Sequence, residues 1–147
     1  MYQFIAGMAG LLLLAGAASA AEHEIKVLNQ GKAGKMVFEP ALLRVAVGDS
    51  VIFKMVDPHH FVGSVRNMTP PGAQPLRGEA SKDYKVTLTV PGIYGYECFV
   101  HIHTYGMAGI IVVGNDTSNL AAVRAALAQT PERERVQLEA LLKQLGG

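Results

Sequence analysis

Cysteine is almost missing from this 147-residue chain: Cys98 is the only one, so no disulfide can form within it. An excess of either charge is missing too. Lys and Arg number 13 against 12 Asp and Glu, for a formal net charge of +1. No basic block breaks that balance, which removes the case for a nucleic-acid-binding surface. Charged residues are only 17% of the chain and hydrophobic ones 50%, which excludes disorder by composition. The length amounts to about one domain, with no room for a large enzyme. Long apolar runs are absent beyond position 20, where no segment approaches the ~20 consecutive apolar residues needed to cross a bilayer.

What is present begins at the N-terminus. Residues Met1 to Ala20 carry no charge, centre on Leu11–Leu14 and end in the small-residue pattern Ala18-Ser19-Ala20, as a secretory signal peptide does. Cleavage after Ala20 would leave residues 21–147 as one exported domain, periplasmic where the source bacterium has two membranes and with no membrane insertion thereafter. The alternative is a retained anchor, because the usual basic residues ahead of the apolar run are lacking. A lone thiol in an oxidising compartment must be buried, bound to metal or used in catalysis.

From residue 22 to about 114 the pattern is that of short strands between turns. Val51, Phe53 and Met55 alternate with Ile52, Lys54 and Val56. Tyr84, Val86, Leu88 and Val90 alternate with Lys85, Thr87 and Thr89, Pro91-Gly92 turns the chain, and Ile93–Cys98 returns. Met107–Val113 is almost wholly apolar and suits a central strand. Seven or eight such strands predict an all-β, two-sheet Greek-key sandwich. The proline-bearing stretch 67–83 is expected as an irregular crossover on the surface. Over about 117–145 the period becomes helical: Leu120, Val123 and Leu127 mark one short helix, and Leu138, Leu141, Leu142 and Leu145 a second, started by Thr130-Pro131. Both must dock on the sandwich to be stable.

Four of the five histidines, the single Cys and one Met fall in two short segments, Asp57-Pro58-His59-His60-Phe61 and Cys98–Met107. Each residue alone has an ordinary structural explanation; their coincidence at two strand ends does not. A thiolate, two imidazoles and a weak axial thioether form a mononuclear copper electron-transfer site. The candidate cofactor is therefore one copper ion, and the candidate ligands are His60, Cys98, His101 or His103, and Met107. The soft thiolate is the strongest electronic handle on the metal, neutral imidazoles serve both oxidation states, and Met keeps the site charge low. Zinc held by Cys and three His is the metal alternative. Copper storage or delivery from a more exposed His-rich site is a second function, and a Cys98–imidazole nucleophile a third. The leading reading is a carrier and not an enzyme.

The same residues resemble the pseudoazurins, small exported cupredoxins. Gly34–Ala41 is similar to that family's opening strand, Val56-Asp57-Pro58-His59-His60 to its first ligand loop, Gly92–Cys98 to its approach to the Cys ligand, and Met107–Gly114 to its axial Met and last strand. The two terminal helices match as well. The resemblance implies an eight-stranded cupredoxin with one type 1 copper. It also implies a monomeric, diffusible electron carrier serving redox proteins such as copper nitrite reductase and c-type cytochromes. Met36 and Tyr105 become candidate residues of its docking patch. Departures from the family pattern are Phe61 in place of an Asn that ties the ligand loops, Val100 in place of a Pro, a ligand loop longer by one residue, and Pro58-His59 in place of a common Lys-Gly. Between the two loop histidines the resemblance divides: Cys98-x-x-His101 has pseudoazurin spacing, while Cys98-x-x-x-x-His103-x-x-x-Met107 has azurin spacing. Loop length tips the expectation to His103.

Overall fold

A computed structural model describes residues 18–146. Most of the expected leader, residues 1–17, lies outside the described residues. Eight strands build two four-stranded sheets. The first has β1 (Glu22–Gly31), β2 (Gly34–Glu39), β4 (Ser50–Met55) and β6 (Tyr84–Thr87), in the order β2-β1-β4-β6. The second has β3 (Leu42–Val45), β5 (Gly63–Ser64), β7 (Gly92–Glu97) and β8 (Ala108–Val113), in the order β3-β8-β7-β5. Among the described residues there are also three helices: α1 (Ile102–Tyr105), α2 (Leu120–Leu127) and α3 (Glu132–Lys143). Each sheet is mixed, since β1 runs parallel to β4 and β3 parallel to β8 while the other pairs are antiparallel. Among the described residues, no helix is long and apolar enough to cross a membrane.

Alternating side chains fill the space between the sheets, because a half-covered strand turns every second residue inward. Ile25 and Val27, Phe38, Val51 and Phe53 enter from the first sheet, and Tyr94, Tyr96, Ile111 and Val113 from the second. Tyr96 receives Phe38 and Phe53 edge-on, at ring-centroid distances of 4.9 and 5.0 Å, and its hydroxyl donates to the Ala41 carbonyl. The unbroken apolar run of β8 has a different cause. Ile111 and Val113 face the sandwich core, whereas Ile110 and Val112 lie under Val123, Leu127, Leu138, Leu141 and Leu142 of α2 and α3. A strand covered on both faces loses its polar alternation. The helical tail is therefore a third layer over the second sheet.

The 67–83 crossover carries no helix and no named strand, but it is not purely a surface feature, since Met68 and Leu76 are buried. The consequential departure from the sequence reading is α1. A four-residue helix stands inside the loop between β7 and β8, where the spacing of the ligands gave no helix. Gly106 ends it with φ 65°, and a Cβ there would clash with the Arg133 carbonyl oxygen of α3. Only glycine fits that left-handed, crowded position.

Candidate metal centre

Strand pairing brings the two ligand segments together. The chain leaves β4 at Met55, passes through His60 and enters β5, whose Gly63 pairs with Glu97 at the end of β7. His60 and Phe61 are thereby set against Cys98, the next residue after β7. His59, with φ 68°, turns the loop; its N–H donates to the Ser81 hydroxyl, and the Ser81 N–H donates back to the His60 carbonyl. The second segment is closed at its neck by the Cys98 N–H donating to the Met107 carbonyl at 2.9 Å.

Within that closed loop the His101 N–H donates to the Cys98 carbonyl, and α1 begins immediately afterwards. The turn aims the His101 ring at the thiol, with Nδ1 3.3 Å from Cys98 Sγ. His60 Nδ1 lies 3.9 Å from the same sulfur. One ligand atom from each of His60, Cys98 and His101 falls within 4.8 Å of the others. Cys98, His60 and Met107 are fully buried, and His101 is half-buried. Met107 packs in the same core cluster as Cys98.

His103 is not brought to this cluster. It is exposed on α1, and the structure does not follow the loop-length argument that favoured it. The physical reason is local. Two residues along a helical turn amount to a rotation of ~200°, so the turn that aims His101 inward carries His103 to the other side. The extra loop residue is absorbed in α1 rather than between Cys98 and its nearest imidazole.

The electrostatics suit a soft metal. Burial, followed by the proximity of His101, holds His60 below the ordinary imidazole range; burial does the same to His101. Burial pushes the Cys98 thiol up, against N–H groups of Phe61, Val100 and His101 that favour its anion. Two neutral imidazoles, one thiol and a neighbouring thioether, without a carboxylate among the clustered ligand atoms, fit copper by the chemistry of the donors. A four-strong-ligand zinc site needs a further donor, and His103 does not supply it here.

Two supports of the site escape sequence reading. His60 Nε2 bonds Asn29 Oδ1 at 2.8 Å, and the Asn29 N–H donates to Asp57 Oδ2 at 2.7 Å. The carbonyl acceptor keeps the proton on Nε2 and leaves Nδ1 free to bind. The second support is the Phe61 N–H, which donates to Cys98 Sγ at 3.3 Å. The Phe61 ring also meets Phe99 edge-on at 4.9 Å, so an apolar contact joins the ligand loops where the family pattern has an Asn. Asn29→Leu is expected to weaken copper retention about 10- to 100-fold, the usual effect of removing a ligand's partner. Competition with a Cu(I) chelator measures it; unchanged retention would show that Asn29 does not orient His60.

Likeness to known proteins runs along the same residues. The family model for copper-binding proteins of the plastocyanin/azurin family matches residues 25–114. A pseudoazurin of Paracoccus pantotrophus is 37% identical over 138 residues, covering 94% of each chain. The crystal structure of pseudoazurin from Methylobacterium extorquens superposes with a TM-score of 0.78 at 34% identity, over 85% of this chain and 99% of that one. Native pseudoazurin from Hyphomicrobium denitrificans gives 0.75 at 28% identity, over 86% and 99%.

Proposed function

This chain belongs to the plastocyanin/azurin family of copper-binding proteins, among its pseudoazurins, and we propose that it works as a diffusible one-electron carrier. The observation that carries this reading is the convergence of His60, Cys98 and His101 on one buried point beside Met107. His60, Cys98 and His101, with Met107, are the residues that would hold the ion, and His103 is a bystander. Bound copper supplies a reversible Cu(I)/Cu(II) couple.

The chain's own residues supply rigidity and exclusion of water. Cys98 and Met107 are locked by the bond across the loop neck, and Asn29 and Ser81 hold the His60 side chain and backbone. Donors fixed in this way need little rearrangement when the charge of the site changes. A buried thiol whose pKa is raised is also the reverse of an activated Cys nucleophile, which supports a carrier over a catalyst.

Half-buried His101 lies among exposed Phe99, Val100 and Tyr105, with Met36 partly exposed on β2. We read this apolar surround as the contact patch for transient redox partners of the kind the family resemblance implies, copper nitrite reductases and c-type cytochromes. With a net charge near +1, only a weak dependence of docking on ionic strength is expected. Export to the periplasm, with residues 1–20 as a cleaved leader and 21–147 as the working domain, belongs to the same proposal.

Copper loading followed by desalting and elemental analysis is expected to give one copper per mature chain, with intense visible absorption and reversible one-electron voltammetry. Two or more coppers per chain, or a nearly colourless Cu(II) form, would favour storage or delivery. Zinc retained against excess copper would overturn the copper assignment.

A further inference from the structure

Ala21 is held at both of its backbone groups. Its N–H donates to Asp49 Oδ1 at 2.9 Å, and its carbonyl accepts from the Ser50 N–H at 2.9 Å. Asp49, in the turn before β4, is only 5% exposed. Its second oxygen accepts from the Ala46 N–H at 3.0 Å and lies 2.8 Å from His23 Nε2. Residues 18–20, immediately upstream, are exposed and outside any helix or strand. The boundary between anchored and unanchored chain thus coincides with the expected cleavage point.

We propose that Asp49 is the binding site for the α-ammonium group that processing creates on Ala21. The inference rests on the leader reading above. Hydrolysis of the Ala20–Ala21 bond by an export-processing endopeptidase adds one water, leaving a carboxylate on Ala20 and an ammonium on Ala21, with no change of oxidation state. The new cation forms at the nitrogen that already faces Asp49 Oδ1. The donor, until then a neutral amide N–H facing a carboxylate, becomes a cation, so the hydrogen bond gains an ion pair. Among the described residues, His23 is the one potentially cationic partner of the Asp49 carboxylate before the cut; cutting supplies a second. The pair clamps the first residue of the mature chain, ahead of β1, to the turn that starts β4, two strands that run parallel from this end. Processing then does more than remove a leader: it completes the fold's N-terminal fastening.

Other charged groups here are few. Beside His23, Glu22 is paired with Lys85 of β6. The hydrogen bond from His23, then the N–H groups of Ala21 and Ala46, hold the Asp49 carboxyl below its ordinary range. The contribution of the pair is therefore present above the ordinary carboxylate range and lost as pH falls through the lowered value. At the alkaline end it is lost as the α-amino group deprotonates. Because Ala21 itself is exposed, solvent and salt screen part of the effect.

The test compares two copper-loaded chains, one beginning at Ala21 and one retaining Ala18-Ser19-Ala20. Chemical denaturation at pH 7 and low salt is expected to give the Ala21 chain about a two- to fivefold larger folding constant. That advantage should vanish when both carry Asp49→Asn. Should Asp49→Asn fail to fold, NMR titration of the ¹⁵N-labelled Ala21 α-amino group decides instead, and a pKa above the ordinary ~8 is expected. Equal folding constants with an ordinary α-amino pKa overturn the ammonium site. Mass spectrometry of the exported product tests the leader reading separately: a chain beginning elsewhere than Ala21 overturns that boundary, whatever the denaturation shows.

Discussion

Copper-loaded Cys98→Ser is expected to lose the intense visible band completely while keeping the circular dichroism of the sandwich. The thiolate is the one soft anionic donor that the chain can offer, and an alcohol is not a comparable ligand. The fold should survive because the substitution nearly conserves volume, and the Phe61 N–H, now aimed at sulfur, can donate to the Ser hydroxyl instead. Burying a hydroxyl at a fully enclosed position, with that partial compensation, costs about 1 kcal/mol. Absorption spectra and far-ultraviolet dichroism of the same samples make the comparison. A retained blue or green chromophore would overturn the assignment of Cys98; loss of both signals would show the thiol to be a folding element first.

The second large effect separates the two loop histidines. His101→Ala is expected to open the coordination sphere and abolish the native visible and spin-resonance signature, whereas His103→Ala should leave both almost unchanged. His101 Nδ1 stands 3.3 Å from Cys98 Sγ, and His103 lies on the exposed side of α1. Burial adds a discriminating outcome. Half-buried His101 leaves a hole that reaches the surface, so added imidazole should enter and restore colour to His101→Ala. The equivalent His60→Ala hole lies where only 1% of the residue was exposed, and external imidazole should not repair it. Electron spin echo measurements of the nitrogen couplings, read with the optical spectra, test all three variants. Disruption by His103→Ala alone would restore the azurin-like spacing argument.

The outcome at His103 locates the limit of reading a loop by length. Counting residues between Cys98 and Met107 assumes a chain that spreads its surplus evenly. The surplus is instead coiled into α1, because Gly106 can take the left-handed conformation that ends a helical turn and because α3 packs closely against that end. Neither condition can be seen from the spacing of the ligands. The contact with Arg133 in particular joins residues far apart in the sequence.

Local pattern by itself determined much of this protein. The inward alternation of Val51 and Phe53, the continuous burial of Ala108–Val113 and the two apolar helical stripes all depend on periodicity, which neighbouring residues fix. So did the pairing of a lone Cys with clustered His and a Met, since donor chemistry is written in residue type. Tertiary structure alone decided which imidazole faces the thiol, because orientation around a helical turn depends on where that turn begins. It also decided the partner of His60: Asn29 is 31 residues away, an unremarked polar residue until the parallel pairing of β1 with β4 brings it alongside. The fastening of Ala21 to Asp49, across 28 residues, has the same origin. Period and donor type are properties of short segments; the meeting of side chains from different strands is a property of the register between them, and no single segment contains it.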